Sequence, residues 1–123
     1  MSKPTIGIIG GGQLGSMLST AAKNLNIKTV IISDDKTAPG QFFADEFIFC
    51  KYDDTSKIEE FCSKVDFVTF EFENIPYNVL SKIDNIIKVN PKPSINKIIQ
   101  NRLSEKDFLN KNNINTTSYI SIK

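Results

Sequence analysis

The sequence predicts an α/β fold with a parallel, doubly wound sheet of about five strands flanked by helices. Three observations predict it. Short apolar runs rich in β-branched residues recur along the chain. Between them lie stretches whose apolar residues fall at three- and four-residue intervals. Glycine, asparagine and proline punctuate the junctions, so strands and helices alternate as a parallel sheet requires.

The first strand is read at Thr5-Ile6-Gly7-Ile8-Ile9-Gly10, apolar on both faces as a buried parallel strand must be. A helix follows, with Leu14, Met17, Leu18, Ala21, Ala22 and Leu25 on one face, closed by Asn24-Leu25-Asn26. Lys28–Ser33 is the second strand, completing a strand–helix–strand unit. After a loop broken by Pro39 and Gly40, Phe47–Cys50 reads as the third strand. Thr55 is placed to cap a helix through Ile58, Phe61 and Cys62. Phe67–Phe72 is the fourth strand, turning at Asn74-Ile75-Pro76 into a short helix with Val79, Leu80 and Ile83. Ile86–Val89 is the fifth, stopped by Pro91 and Pro93. Ser94 is read as the cap of a helix with Ile95, Ile98 and Ile99. Arg102–Lys111 is a last helix, with Leu103, Phe108 and Leu109 inward, and Thr116–Lys123 a strand without a visible partner.

Bulk properties narrow the function classes. A length of 123 residues, 40% hydrophobic and 24% charged, suits one globular domain. A net charge of +1, with lysines interspersed among acids, gives no footprint for nucleic acid or an anionic membrane. Histidine is absent, which removes the commonest general base. Cys50 and Cys62 lie in apolar segments far apart and read as buried, reduced thiols, not a metal pair. The start resembles neither a signal peptide nor a membrane span, so the expectation is a soluble, cytoplasmic protein.

In a doubly wound sheet, ligands sit beyond the carboxyl ends of the strands. The first strand runs into Gly10-Gly11-Gly12-Gln13-Leu14-Gly15, a GxGxxG turn opening a helix, where backbone N–H groups can approach a phosphate. The motif does not say which phosphate. Asp34 and Asp35 lie about 20 residues further on, where an acid would hold the ribose of NAD. An NAD-binding regulatory domain is therefore one reading, using Gly10, Gly12, Gly15 and Asp34. The fourth strand adds Phe70-Glu71-Phe72-Glu73-Asn74-Ile75-Pro76, in which alternation would put Glu71 and Glu73 on one face, suited to ribose hydroxyls or an amine. Arg102, in Ile99-Gln100-Asn101-Arg102-Leu103-Ser104-Glu105-Lys106, offers a planar fork for a phosphate.

In series, these three segments resemble the 5-(carboxyamino)imidazole ribonucleotide synthases, ATP-grasp ligases of purine synthesis. Ala44-Asp45-Glu46 and Tyr52-Asp53-Asp54 fall where that family has similar stretches. The resemblance implies a Rossmann-like, pre-ATP-grasp domain over residues 1–115 and, over 116–123, the lead-in to a central ATP-grasp domain. It implies an enzyme that carboxylates 5-aminoimidazole ribonucleotide with bicarbonate, through carboxyphosphate, using ATP and magnesium. On the matching positions, Gly12, Gln13 and Leu14 would meet the ribonucleotide 5′-phosphate. Glu71 and Glu73 would hold the ribose, and Arg102 would reach the phosphates of ATP. No residue here is assigned a catalytic or metal-binding role. The family's ATP lid and metal-binding domain have no counterpart in these residues, so the chain alone is expected to be inactive and to bind no cofactor tightly. Homodimers are common in the family, though the sequence marks no interface. Two positions depart from its pattern: Ser16 stands where arginine is usual, and Asn101 where aspartate is usual. A related ATP-grasp ligase acting on another ribonucleotide would share nearly every residue argument.

Overall fold

A computed structural model of the chain describes residues 3–122. Four parallel strands, β1 (Thr5–Ile9), β2 (Lys28–Ser33), β3 (Glu46–Phe49) and β4 (Phe67–Phe70), form one sheet in the order β3-β2-β1-β4. β1 lies between β2 and β4, with Ile9 level with Ile32 on one side and Phe70 on the other. The strand ends that carry the glycine turn, Asp34 and Glu71 therefore share one edge of the sheet. The expected fifth strand contracts to a single bridge between Val68 and Val89. Val68 N–H donates to Lys88 and Asn90 N–H donates to Val68, each at 2.9 Å. Pro91 and Pro93 bring no N–H donor to extend the pairing. The sheet is thus four strands and a bridge.

Among the described residues, five helices complete the domain: α1 (Gln13–Asn24), α2 (Thr55–Ser63), α3 (Tyr77–Asp84), α4 (Pro93–Ile99) and α5 (Arg102–Lys111). A 3-10 turn, Pro39–Phe42, occupies the connection from β2 to β3. Two caps differ from expectation. Asp54, one residue before Thr55, caps α2 by accepting from Lys57 N–H at 3.1 Å. Lys92 precedes α4, which starts at Pro93 with no side-chain cap; Ser94 sits inside its first turn. α1 ends as the asparagines suggest, with Asn26 in the left-handed region at φ 60°. Thr116–Ile122 forms no strand, and Lys123 lies outside the described residues.

The two sides of the sheet are packed differently. On one, Ile9, Val30, Ile32, Ile48 and Val68 meet Ile58, Phe61 and Cys62 of α2 and Val79, Leu80 and Ile83 of α3, all buried. Each large aliphatic or aromatic side chain there contributes about 2 kcal/mol of burial. On the other side, α1 lies close to the sheet and buries only Gly15, Ser16 and Ser19. A Cβ on Gly15 would stand 2.6 Å from the Gly10 carbonyl oxygen and 3.8 Å from Ile31, which measures how near the helix comes. The apolar residues Leu14, Met17, Leu18 and Leu25 do share a face, and it is the exposed one. α5 also departs from expectation: it has no buried residue, and Leu103 and Phe108 are exposed. In α4 the buried residues are Pro93 and Asn96, while Ile95 is exposed.

Candidate functional site

The site is built where β1 and β4 end side by side. Glu71 follows β4, and its N–H donates to Ile9 at 3.1 Å, holding it level with the start of the glycine turn. Gly10 turns with φ +106°, a conformation that side chains rarely adopt, and a Cβ there would lie 2.5 Å from Cγ of Glu71. The missing side chain lets Glu71 lean across the turn. Its carboxylate accepts from Gly12 N–H at 3.0 Å through Oε1 and from Gly15 N–H at 3.2 Å through Oε2. It is a carboxylate cap on the amino terminus of α1, supplied from the segment just after β4.

That leaves the middle of the turn open. Among the described residues, neither Gln13 N–H nor Leu14 N–H meets an acceptor, and both side chains are exposed. These two donors point from the positive end of the α1 dipole, beside the Glu71 carboxylate. The arrangement can receive an anion at Gln13 and Leu14 and a hydroxyl or amine donor at Glu71. Gly40 N–H braces the turn from the other side by donating to Gly11 at 2.7 Å. Ser16 is buried, and its hydroxyl donates to the Gly12 carbonyl at 3.0 Å.

Glu73 is placed differently from Glu71. β4 ends at Phe70, so strand alternation does not continue through the two glutamates. The Glu73 side chain is exposed, and its carbonyl accepts from Gln100 Nε2 at 2.7 Å. Gln100 Nε2 also donates to the Ile75 carbonyl at 2.6 Å, joined there by Nδ2 of the fully buried Asn96 at 3.2 Å. α4 therefore pins the loop that carries both glutamates. Asn96 escaped the sequence reading because a polar residue in an isoleucine-rich stretch looks like a solvated position. Arg102 begins α5, exposed and ion-paired with Glu105. Asn101 caps that helix, Oδ1 accepting from Ser104 N–H at 3.0 Å, which an aspartate would do equally well.

The second strand end gives less. Asp35 accepts from the Thr37 hydroxyl at 2.7 Å and its N–H at 2.8 Å, and these bonds hold its carboxyl below the usual range. It is a turn residue. Asp34 is exposed. Beyond β3, the Tyr52 hydroxyl is buried without a partner. Burial, then the charge of Asp34, pushes that phenol well above its ordinary value. The Cys50 thiol, also buried, is pushed up to about 11 by desolvation first and Asp54 second. Among the described residues no three His, Cys, Asp or Glu side chains gather as a metal-ligating group.

The strand order, the glycine turn and an acid at the neighbouring strand end define a doubly wound, Rossmann-like α/β domain. Residues 3–100 match the model of the ribonucleotide synthetase preATP-grasp domain, and the chain belongs to that family. It is 39% identical over 115 residues to an N5-carboxyaminoimidazole ribonucleotide synthase from Brucella melitensis, covering 94% of this chain and 32% of that protein. A solved N5-carboxyaminoimidazole synthetase from Staphylococcus aureus superposes with a TM-score of 0.85 at 35% identity, over 99% of this chain and 34% of that one. The Aspergillus clavatus N5-carboxyaminoimidazole synthase, solved with ADP and 5-aminoimidazole ribonucleotide, gives 0.78 at 26% identity, over 89% and 30%. The chain thus spans about one third of the length of these relatives.

Proposed function

We propose that this chain is the part of an ATP-dependent carbon–nitrogen ligase that seats the ribonucleotide, with 5-aminoimidazole ribonucleotide as its substrate. The observation that carries the reading is the pairing at the α1 terminus: free N–H groups at Gln13 and Leu14 beside a carboxylate fixed to Gly12 and Gly15. A 5′-phosphate fits the first and a ribose hydroxyl the second. The Aspergillus relative, solved with that ribonucleotide, supports the choice of substrate. Family membership favours a ribonucleotide over NAD.

In this reading Gly12 supplies the bend, Gln13 and Leu14 the phosphate contacts, and Glu71 the ribose contact. Glu73, exposed on the same pinned loop, makes a second, outer contact with the sugar. The chain contributes no nucleophile. It holds the substrate amine where carboxyphosphate, formed from bicarbonate and ATP, can be attacked, a contribution of proximity. Arg102, which among the described residues pairs with Glu105 alone, lies at the surface, free to turn toward ATP phosphates. In the proposed enzyme the metal and most ATP contacts belong to the two thirds of the relatives' length that this chain does not match. Residues 1–115 form the seating domain and 116–123 the lead-in.

Amide chemical shifts during titration with 5-aminoimidazole ribonucleotide, and separately with NADH, test this. Expected are saturable shifts at Gly12–Gly15 and Glu71 with the ribonucleotide alone. Saturable NADH binding that moves Asp34 would overturn the reading. So would a ribonucleotide titration to millimolar concentration that leaves Gln13 and Leu14 unmoved.

A further inference from the structure

The loop from Glu71 to Pro76 lies outside every helix and strand, yet it carries both glutamates of the site. Its near end is fixed by Glu71 N–H, which donates to Ile9 at 3.1 Å. Its far end is fixed by Ile75, whose side chain is fully buried. Only Phe72, Glu73 and Asn74 lie between. Among the described residues, the hydrogen bonds to the Glu73 and Ile75 carbonyls come from two amides, Asn96 within α4 and Gln100 at its carboxyl end. They stand four residues apart, on one face of the helix. Gln100 is exposed, so water competes with its bonds to the loop. Asn96 is 0% exposed, and its bond from Nδ2 to the Ile75 carbonyl at 3.2 Å has no such competitor. Its Oδ1 is buried too and accepts from nothing.

A buried amide oxygen without a donor costs stability, and a leucine beside Ile95, Ile98 and Ile99 would carry no such cost. What the amide gives, and leucine cannot, is the bond to Ile75. We propose that Asn96 is a positioning residue: by holding the Ile75 carbonyl from inside the core, it keeps the Glu71 carboxylate on Gly12 and Gly15. The span is short enough to carry the effect, with three residues between the two fixed points. The fit at the other end is also close, since Glu71 Cγ lies where a Cβ on Gly10 would stand 2.5 Å away. A small shift of the loop therefore takes the carboxylate off its two donors, and Glu73 moves with it. Asn96 touches no ligand and acts through the loop, as a support for the residues that do. For the sugar, this consequence rests on the ribonucleotide reading given above; for the cap on α1 it does not.

Two measurements on Asn96→Leu in the 123-residue chain test it; if that variant loses the wild-type circular dichroism, Asn96→Ala replaces it. Amide hydrogen exchange should speed up by about fivefold at Gly12 and Gly15, with the amides of β1 and β2 as slow as in wild type. Affinity for 5-aminoimidazole ribonucleotide should fall by about fivefold, while affinity for inorganic phosphate, received at Gln13 and Leu14, should not fall. A merely structural role gives a different pattern, with faster exchange throughout the sheet and both ligands weakened together. Unchanged exchange at Gly12 and Gly15 overturns the proposal, and so does a rise that the sheet shares equally. Equal loss of affinity for both ligands overturns it as well. A wild-type chain that binds no ribonucleotide, with the two glycines still responding to Asn96→Leu, sinks the ribonucleotide reading and upholds Asn96 as the residue that positions Glu71.

Discussion

Replacing Glu71 by alanine removes one carboxylate and two cross-strand hydrogen bonds, to Gly12 N–H at 3.0 Å and Gly15 N–H at 3.2 Å. Deleting a single side-chain cap from a helix amino terminus costs about 1 kcal/mol. Glu71 makes two such bonds with a charged acceptor at the positive end of α1, but it is half-buried, so water replaces part of what is lost. The expected cost of Glu71→Ala is therefore about 2 kcal/mol. Glu71→Gln keeps one acceptor oxygen and no charge, and should cost about half as much. For a domain of this size, 2 kcal/mol lowers the Tm by about 7 °C. Thermal unfolding followed by circular dichroism reads both variants directly. Inorganic phosphate should narrow the gap between wild type and Glu71→Ala, since the freed Gly12 and Gly15 donors become available to an anion. A Glu71→Ala protein within about 0.5 kcal/mol of wild type would refute the argument that this carboxylate is the cap of α1.

The remaining predictions follow from contacts of the same kind. Gly15→Ala puts a methyl 2.6 Å from a backbone oxygen that cannot swing aside, so α1 must lift; the loss should be about 2 kcal/mol by urea unfolding. Tyr52→Phe deletes a buried hydroxyl that bonds to nothing, and should leave stability unchanged or raise it by about 1 kcal/mol. The Cys50 thiol, raised to about 11, should resist alkylation by iodoacetamide at pH 8 in the folded protein and react once urea unfolds it. The sign of its linkage follows: Cys50 supports the fold fully below about pH 9 and loses that contribution as the pH rises through 11, which unfolding midpoints across that range would register. Gln100→Ala releases the Glu73 carbonyl and one of two donors to the Ile75 carbonyl, and should weaken ribonucleotide binding severalfold by titration with little change in Tm, because the Glu73 bond is exposed and Asn96 still donates to Ile75.

The sequence made the sheet legible because its strands are buried on both faces and leave continuous apolar runs. The order of strands and helices, and the inward residues of α2 and α3, can be read from those runs and from helical spacing alone. The ends of elements were less legible. Thr55 and Ser94 are good capping residues by type, yet the neighbouring Asp54 caps α2 and Pro93 opens α4. At the site, the glycine turn was legible as an anion seat, and Glu71 as its neighbour at the strand ends. That the Glu71 carboxylate bonds Gly12 and Gly15 was not, because it depends on the register that sets Phe70 beside Ile9.

α1 shows what periodicity leaves open. Spacing of three and four residues assigns apolar side chains to one face of a helix but does not say which way that face points. The deciding signal is the other stripe, Gly15, Ser16 and Ser19. A glycine closing a GxGxxG turn forces the helix against its strand, and at that distance only small side chains fit beneath it. Once Gly15 fixes the approach, the small stripe must face the sheet, and Leu14, Met17 and Leu18 must face outward. The constraint that leaves Gln13 and Leu14 N–H open to an anion thus also leaves an apolar surface exposed. Enlarging Gly15 should disturb both, because the added methyl meets the Gly10 carbonyl oxygen and lifts the helix.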